Sequence, residues 1–405
     1  MADIRPFRAF RPPPELASSV ASPPYDVVNT EQARALAHGN ANSFLRVSRP
    51  EIDLPVGIDE HGDEVYAQGA KNLADLVSRQ VLRQDADPAL YVYAQRMGEH
   101  QQTGVVACAS VKEYVDGLIR KHEKTRADKE NDRTRHIDEL GAHDEPVFLT
   151  YRAVRAIDEV VAQVTETTPE YDFVSADEVE HKFWYAADAQ RDELLQLFST
   201  EVPALYVADG HHRSAAAARV HDRWRGDGRE HDVFLTVIFP DDQMNILPYN
   251  RVVKDRKARD ATALYQALAE VLDLEETDAP APDLPGTFGL YLAGKWYRGT
   301  ARPESFDARD PVAVLDCAIC QDQILAPVFG ITDPRRDTSI DFVGGIHGSA
   351  ELERRVDSGD ADVAIYLFAT KMEQVMAVSD AGRVMPPKST WFEPKLRSGL
   401  FVHTF

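Results

Sequence analysis

The sequence predicts a mixed α/β protein of 405 residues. Short apolar runs typical of buried strands alternate with amphipathic segments typical of helices through the centre of the chain. The apolar run 204–208 leads directly into the alanine-rich segment 214–219, which strongly favours a helix. A second apolar run, 232–239, follows that helix. This order of strand, helix and strand is compatible with a βαβ element.

The other elements follow from periodicity and from turn residues. Predicted helices cover residues 30–38, 62–83, 126–140, 188–199, 211–225, 310–325 and 349–358. Predicted strands cover residues 90–95, 104–111, 147–151, 204–208, 232–239, 287–299, 362–369 and 374–378. A polar turn separates the first two strands, so we expect them to form a hairpin.

The chain divides into three predicted regions. Residues 1–90 form an N-terminal region that contains the turn Pro24-Tyr25-Asp26-Val27. Residues 91–245 form a central α/β region with the segments 122–125 and 209–213, and residues 246–405 form an α+β region with the loop 386–390. The proline-rich stretch 279–286 is a predicted loop.

Composition restricts the classes of function. A hydrophobic fraction of 43% and a charged fraction of 28% are typical of a soluble globular protein. The net charge of −22 argues against binding of DNA or RNA, although a local basic pocket can still hold a small anion. We find no apolar run as long as a membrane span and no signal peptide, so we expect a cytoplasmic protein without a membrane partner. Three cysteines, with Cys317 and Cys320 in an apolar stretch, fit a reducing compartment.

The segment Asp209-Gly210-His211-His212-Arg213 is the most informative part of the sequence. It lies where a predicted strand becomes a helix, and the first N–H groups of a helix have no internal partner and carry partial positive charge. With Arg213 and two imidazoles, this turn is suited to an anion, above all a phosphate. The alternative is structural: Asp209 caps the helix and the histidines satisfy local backbone groups.

A second basic segment, from Arg120 to Thr125, also leads into a predicted helix. It contains His122 and Glu123, and a carboxylate among cations can serve as a general base. We therefore predict that Arg120, His122 and Thr125 contact a phosphate or substrate. The alternative is a solvated helix end.

A metal site is a further alternative. His136 and His143 lie near the end of the same predicted helix, and with His122, His211 and His212 they could ligate a divalent ion. Their spacing matches no metal signature that we recognise.

Two stiff loops complete the candidate site. Prolines precede Lys388, Ser389 and Thr390, so the loop can present an ammonium group and two hydroxyls to a phosphate; we expect it to fold against the 209–213 turn. The alternative is a packed terminal strand. Tyr25 and Asp26 form a rigid turn, in which Asp26 could hold a substrate amine or a metal, or simply cap the turn.

Several of these segments, in this order, resemble the widespread prokaryotic family of unknown function numbered 1015. The resemblance extends over nearly the whole chain and rests on the segments Pro24–Val28, Ser43–Val47, His122–Thr125, Pro146–Leu149, Ala208–Arg213, Asn250–Val253 and Pro386–Thr390. It implies no activity by itself, although members are often encoded beside enzymes of serine biosynthesis.

The 209–213 segment also resembles the phosphate-binding motif of the ParB and sulfiredoxin superfamily, whose members include free serine kinases. This local resemblance implies a ParB-like βαβ element in which Gly210, His211, His212 and Arg213 contact phosphates. It implies that Asp209 organises the turn or assists a metal. The kinases use a glutamate as base, and Glu123 is our candidate for that role on chemical grounds.

Our leading hypothesis is an enzyme that binds ATP, ADP or CTP with Mg²⁺ and transfers a phosphoryl group to a small polar metabolite such as serine. Asp209, His212 and Glu123 are the candidate catalytic residues. The alternatives are a metal-dependent phosphohydrolase or phosphodiesterase, and a nucleotide-dependent regulator without catalysis. Whether the protein forms a homo-oligomer stays open.

Overall fold

A computed structural model describes residues 1–226 and 229–405. By their internal contacts, these described residues form two compact units, Met1–Met244 with Pro394–Phe405, and Asn245–Glu393. Each unit contains helices and sheets, which confirms the mixed α/β class. No helix in the described part of the chain has the length and apolar character needed to cross a membrane. The division into three regions stays a prediction.

The first unit contains most of the elements predicted in the N-terminal and central parts of the sequence. Its helices are α1 (Ala17–Val20), α2 (Thr30–Leu36), α3 (Leu45–Ser48), α4 (Asp63–Ser78), α5 (Val111–Asp116), α6 (Ala127–Leu140), α7 (Arg155–Thr165), α8 (Asp188–Glu201) and α9 (His211–Trp224). Its strands up to residue 240 are β1 (Ile4–Arg5), β2 (Phe10–Arg11), β3 (Arg83–Gln84), β4 (Tyr91–Met97), β5 (His100–Ser110), β6 (Ile119–Arg120), β7 (Ala142–His143), β8 (Val147–Tyr151), β9 (Tyr171–Val174), β10 (Glu180–Tyr185), β11 (Leu205–Asp209) and β12 (Val233–Pro240).

Nine strands of the described residues form the main sheet of this unit. Their order is β6-β11-β8-β12-β5-β4-β10-β9, with β1 paired to β5. Strands β4 and β5 are antiparallel neighbours joined at Met97 and His100, which confirms the predicted hairpin. Every residue of β8 and β12 is buried, and this explains why their sequences are continuous apolar runs rather than alternating ones.

The strand, helix and strand expected around residues 209–213 are β11, α9 and β12. Strand β11 is antiparallel to β8, whereas β12 is parallel to β8. The two strands therefore flank β8 and run in opposite directions, so α9 is not a crossover between adjacent parallel strands. Asp209 is in register with Phe148, which places the 209–213 turn beside the beginning of β8.

The helices α7 and α8 pack on the core of the first unit through their apolar faces. Ile157, Val160 and Val164 of α7 have helical spacing and are buried. They share one hydrophobic cluster with Leu194 and Phe198 of α8 and with residues of β8 and β12.

The second unit is built around an antiparallel sheet. Its strands are β13 (Ile246–Leu247), β14 (Tyr249–Val253), β15 (Leu272–Glu276), β16 (Thr287–Leu292), β17 (Lys295–Ala301), β18 (Ile340–Gly344), β19 (Val363–Leu367) and β20 (Trp391–Phe392), and its helices are α10 (Ala261–Ala269), α11 (Asp316–Ile319), α12 (Gly348–Asp357) and α13 (Met372–Asp380). Six strands of the described residues pair in the order β15-β17-β16-β19-β14-β18. The predicted loop 279–286 lies between β15 and β16.

Three predictions for the second unit were wrong. The predicted strand 287–299 is a pair of antiparallel strands, β16 and β17, with a turn at residues 293 and 294 between them. The segment 374–378 is not a strand but part of α13, because its buried residues Met372, Val375, Met376 and Ser379 have helical spacing over a longer window. The predicted helix 310–325 begins only at Asp316 and continues as a π-helix from Cys320 to Phe329. Cys317 and Cys320 are buried free thiols, as expected from their apolar surroundings.

The last twelve residues belong to the first unit, where they form β21 (His403–Thr404), which pairs with β7. Gly399 has a φ of +86°, and a Cβ at this position would lie 2.6 Å from Cγ of Phe44. A glycine is therefore required for the close approach of this C-terminal segment to α3 and its flanking residues. The same segment carries Lys395 to the candidate site described below.

Truncation of Phe198 tests the core assignment. Phe198 is fully buried and its ring centroid lies 5.1 Å from that of Tyr151. We expect Phe198→Ala to lower the free energy of unfolding by about 3–5 kcal/mol, because it removes a large buried side chain and leaves a cavity. Gln196→Ala, on the exposed face of the same helix, should change it by less than about 0.5 kcal/mol. Urea denaturation measures both, and equal effects would contradict the assignment.

Candidate functional site

The 209–213 turn begins α9 without a capping side chain. Gly210 is the residue before the helix and has φ +94° and ψ +29°, a left-handed conformation that favours glycine. A Cβ there would also lie 3.2 Å from Cζ and Nε of Arg213. Because Gly210 offers no side-chain oxygen, the N-cap residue makes no side-chain hydrogen bond to the first N–H groups of α9, which carry the positive end of the helix dipole.

Asp209 closes the turn and anchors the C-terminal segment. Its Oδ1 accepts a hydrogen bond from the N–H of Gly210 at 2.8 Å, and its Oδ2 accepts one from Nζ of Lys395 at 2.9 Å. Burial acts to raise the pKa of Asp209, but the charges of Lys395 and Arg213 outweigh burial and lower it. Asp209 is therefore an ionised, fully partnered carboxylate, and it does not cap α9.

The two histidines connect the turn to the segment 120–126. Nε2 of His212 accepts a hydrogen bond from the N–H of Arg126 at 3.2 Å. Nε2 of His211 accepts one from the N–H of His122 at the long distance of 3.5 Å, and the two rings meet edge to face with centroids 4.4 Å apart. The two basic segments singled out in the sequence thus lie together. The histidines do satisfy backbone groups, but those groups belong to another part of the chain.

The imidazoles of this cluster are neutral. Burial lowers the pKa of His122 to about 4, against the opposing effects of Asp209 and the backbone of Val207. Burial also lowers the pKa of His211 and of His212. The positive charge expected from the histidines is therefore absent at neutral pH, because burial disfavours the charged form. His122 is 2% exposed, and among the described residues neither of its ring nitrogens has a hydrogen-bond partner.

The other residues of the segment 120–126 have partners of their own. The guanidinium of Arg120 lies 5.6 Å from the ring centroid of Tyr206, on the neighbouring strand β11. Thr125 donates its hydroxyl hydrogen bond to Glu130. Glu123 is half-buried in the loop between His122 and the start of α6. Its role as a base stays a prediction.

Arg213 is the buried cation of the site. It is 7% exposed and donates from Nη1 to the carbonyl oxygen of Pro146, just before β8. Burial acts to lower the pKa of Arg213, but the nearby carboxylates Asp26, Glu145 and Asp209 raise it, so the guanidinium stays charged. One buried cation therefore faces acidic groups from three separate segments of the chain.

Glu145 is a buried carboxyl group that the sequence analysis missed. Its Oε1 accepts hydrogen bonds from the N–H of Tyr25 at 3.0 Å and from Oγ of Ser398 at 2.9 Å, whereas Oε2 has no partner among the described residues. Burial raises the pKa of Glu145 to about 7, although Arg213 acts to lower it. The only sequence signal was an acidic pair, Asp144 and Glu145, directly before a buried strand.

The turn at Tyr25 and Asp26 lies in this same cluster. Tyr25 is buried, and the guanidinium of Arg133 lies 4.0 Å from its ring centroid. Asp26 is exposed, and its charge raises the pKa of both Arg213 and His212. Asp26 is thus an accessible carboxylate beside the start of α9.

The other two histidines of the metal alternative, His136 and His143, have protein partners of their own. Nε2 of His136 lies 3.0 Å from Oδ2 of Asp144, and the ring of His143 stacks on that of His403 with centroids 5.7 Å apart. Within residues 1–226 and 229–405, no three His, Cys, Asp or Glu side chains are arranged to hold a metal ion.

The loop with Lys388, Ser389 and Thr390 belongs to the second unit. Nζ of Lys388 lies 5.1 Å from the ring centroid of Tyr249. Oγ of Ser389 donates to the carbonyl oxygen of Pro386 at 2.5 Å, and Thr390 is half-buried. The approach of this loop to the 209–213 turn stays a prediction. Lys395, seven residues after Lys388, is the cation that contacts Asp209.

The close approach at Gly210 gives the first test of the site. Gly210→Ala should destabilise the protein more than Gly117→Ala, because both glycines have positive φ but a Cβ at Gly117 meets nothing within 4 Å. We expect both substitutions to lower the free energy of unfolding by about 1–2 kcal/mol, because both introduce the same backbone strain. Only Gly210→Ala should lower it further. Chemical denaturation of the two variants measures the difference. Equal losses would mean that the Arg213 guanidinium does not restrict this turn.

The pH dependence of stability tests the protonation of Glu145. In the unfolded chain its carboxyl group ionises near about pH 4.3, whereas in the folded protein its pKa is about 7. The contribution of Glu145 to wild-type stability should therefore fall as the pH rises through this window, because the unfolded chain releases the proton first. Glu145→Gln keeps the acceptor oxygen but has no such proton. Its stability relative to wild type should rise with pH by up to about 1.4 kcal/mol per pH unit.

Urea denaturation between about pH 5 and about pH 8 measures this effect. The exposed Glu201→Gln variant is the control and should follow the wild-type pH profile. A constant difference between Glu145→Gln and wild type across this range would contradict the raised pKa of Glu145.

Comparison with solved structures finds distant similarities. A variant of a free serine kinase in complex with AMP is 13% identical, with a TM-score of 0.38, and covers 74% of this chain and 92% of its own. SbnI with a C-terminal truncation, from Staphylococcus aureus, is 12% identical, with a TM-score of 0.38. The match covers 74% of this chain and 87% of SbnI. A conserved hypothetical protein from Pyrococcus furiosus is 16% identical, with a TM-score of 0.35. The match covers 74% of this chain and 95% of that protein. No residue role is carried over from these structures.

No curated protein matches the sequence. The family model described as "Protein of unknown function (DUF1015)" matches residues 4–318, a range that includes every residue of the cluster around Arg213 except the C-terminal Lys395 and Ser398. The chain belongs to this DUF1015 family.

Proposed function

We propose that the protein binds the phosphates of a nucleotide at the start of α9 and transfers a phosphoryl group to the hydroxyl of a small polar metabolite such as serine. The observation that carries this proposal is the first turn of α9, which a left-handed glycine leaves without a capping side chain. Main-chain N–H groups at a helix start, together with the helix dipole, bind phosphate groups in many unrelated proteins.

The charges around the turn favour an anionic ligand that binds together with a cation. Arg213 and Lys395 lie at the turn, but Asp26, Glu145 and Asp209 already balance much of their charge. A bare polyphosphate would add further negative charge to this cluster. We therefore propose that ATP, ADP or CTP binds together with Mg²⁺, which neutralises phosphate charge during transfer.

Asp26 is our proposed proton acceptor. It is exposed and faces both Arg213 and His212, whereas Glu145 is buried beside a cavity of about 10 Å³, the space of one water molecule. Glu145 is better suited to position the turn, since its carboxylate accepts the hydrogen bond from the N–H of Tyr25. Glu123 is the alternative base.

In the proposed reaction, the hydroxyl oxygen of the acceptor forms a bond to the terminal phosphorus of the nucleotide. The bond from that phosphorus to its bridging oxygen breaks, and the nucleotide leaves with one phosphate fewer. The carboxylate of Asp26 takes the hydroxyl proton. Such reactions depend mainly on positioning and charge neutralisation, which the helix start and Arg213 would supply.

The test combines binding and turnover. We expect MgATP, MgADP or MgCTP to raise the melting temperature of the wild type, and a phosphorylated acceptor to form when serine is added. Asp26→Asn should keep nucleotide binding but lose about a hundredfold or more in transfer rate, as expected for a general base. Glu123→Gln should keep both the nucleotide binding and the transfer rate of the wild type. Asp188→Asn, an exposed carboxylate in α8, is the control and should behave as wild type.

Each of the following outcomes would contradict one part of the proposal. Full activity of Asp26→Asn with loss in Glu123→Gln would move the base to Glu123. Release of inorganic phosphate without transfer would favour the phosphohydrolase, and binding without turnover would favour the regulator. The absence of binding for all three nucleotides would overturn the phosphate site itself.

A further inference from the structure

A second cavity lies in the first unit, at the end of β8 opposite to the 209–213 turn. Its volume is about 180 Å³, far more than a single water molecule needs. Tyr151, the last residue of β8, and Asp158 of α7 line it together with Ile238 of β12. The 209–213 turn lies beside the first residues of β8, so the two places are separated by the length of that strand.

Two polar side chains of this cavity, Tyr151 and Asp158, are not used by the fold within the described residues. Tyr151 is 1% exposed and its hydroxyl has no hydrogen-bond partner among the described residues, although it lines the cavity. Asp158 is half-buried, and no ion pair or hydrogen bond to its side chain is present in the described part of the chain. Both groups are therefore available to a ligand or to water in the cavity.

The charged groups that act on Asp158 and Tyr151 are carboxylates. The charged neighbours that act on Asp158 are Asp242 and Glu159, and burial together with these two groups raises the pKa of Asp158. Asp158, Asp241 and Asp242 act in the same direction on Tyr151, whose pKa burial also raises. A cation in this cavity would relieve the repulsion among these carboxylates.

The remaining lining is partly apolar. Val161 and Ala162 of α7 and Ile238 of β12 provide the apolar wall. Gln243 is fixed at the rim, since its Oε1 accepts a hydrogen bond from the N–H of Thr103 at 2.8 Å. An acidic end and an apolar wall together favour a short aliphatic chain that ends in an ammonium group.

We propose that this cavity binds a small primary amine in its ammonium form. The ammonium group donates hydrogen bonds to the carboxylate of Asp158 and to the hydroxyl oxygen of Tyr151, and the aliphatic chain lies against Val161, Ala162 and Ile238. This site is independent of the proposed nucleotide site, because it shares no residue with the cluster around Arg213.

The test uses n-butylamine hydrochloride as the probe, with isothermal calorimetry and thermal shift on the full chain. We expect saturable binding to the wild type, at least tenfold weaker binding to Asp158→Asn and severalfold weaker binding to Tyr151→Phe. Glu193→Gln, which changes an exposed carboxylate of α8 that does not line the cavity, is the control and should bind as wild type. Tetramethylammonium chloride, which has the charge but no N–H donor, should bind at least tenfold more weakly than n-butylamine.

Several results would overturn the proposal. They are the absence of saturable binding to the wild type, equal binding by wild type and Asp158→Asn, and equal binding of n-butylamine and tetramethylammonium. If Asp158→Asn fails to fold, the Tyr151→Phe variant tests the proposal in its place. Binding of n-butylamine to Tyr151→Phe with wild-type affinity would then contradict the proposed site. Nα-acetyl-lysine methylamide distinguishes the source of the amine: tight binding of this compound would identify a lysine side chain, and its exclusion a free amine.

Discussion

The buried guanidinium of Arg213 is the interaction on which the candidate site depends. A buried cation is stable only when opposite charges and hydrogen-bond acceptors surround it. Arg213 obtains them from the carbonyl oxygen of Pro146 and from Asp26, Glu145 and Asp209. These groups belong to the N-terminal turn, the entry to β8 and the end of β11. The requirement to compensate one charge therefore brings three distant segments of sequence to the start of α9.

This arrangement changes the chemistry expected of the site. The histidines at the helix start are neutral acceptors that hold the segment 120–126, so they do not supply positive charge. Attraction for an anion must come from the main chain of α9 and from Arg213 and Lys395. Because carboxylates surround these cations, a ligand that carries both phosphate and a metal ion suits the cluster better than a free anion.

The sequence predicted the helices and strands that have strong periodicity. It did not predict strand direction or side-chain contacts between distant parts of the chain, which depend on long-range packing. Mostly apolar runs such as 147–151 and 232–239 identified the central strands, but no local pattern contains the direction of β11 relative to β12. The segment 374–378 lies inside the helix Met372–Asp380 but was predicted as a strand, because a short apolar run does not distinguish a buried strand from a buried helix. The change from strand to helix at residues 209–213 was predicted correctly, since an apolar run before this segment and an alanine-rich run after it are local features of the sequence. Glu145 and Lys395 escaped notice, because their importance comes from a partner far away in the sequence.

The central claim is that the start of α9 holds the phosphates of a nucleotide. A crystal structure of the protein with ADP and Mg²⁺ tests it most directly. The account predicts that phosphate oxygens lie within about 3 Å of the main-chain N–H groups of residues 211–213, at the distance of a charge-assisted hydrogen bond. Nucleotide bound elsewhere, with this turn unchanged and its N–H groups facing only solvent or protein, would contradict the claim.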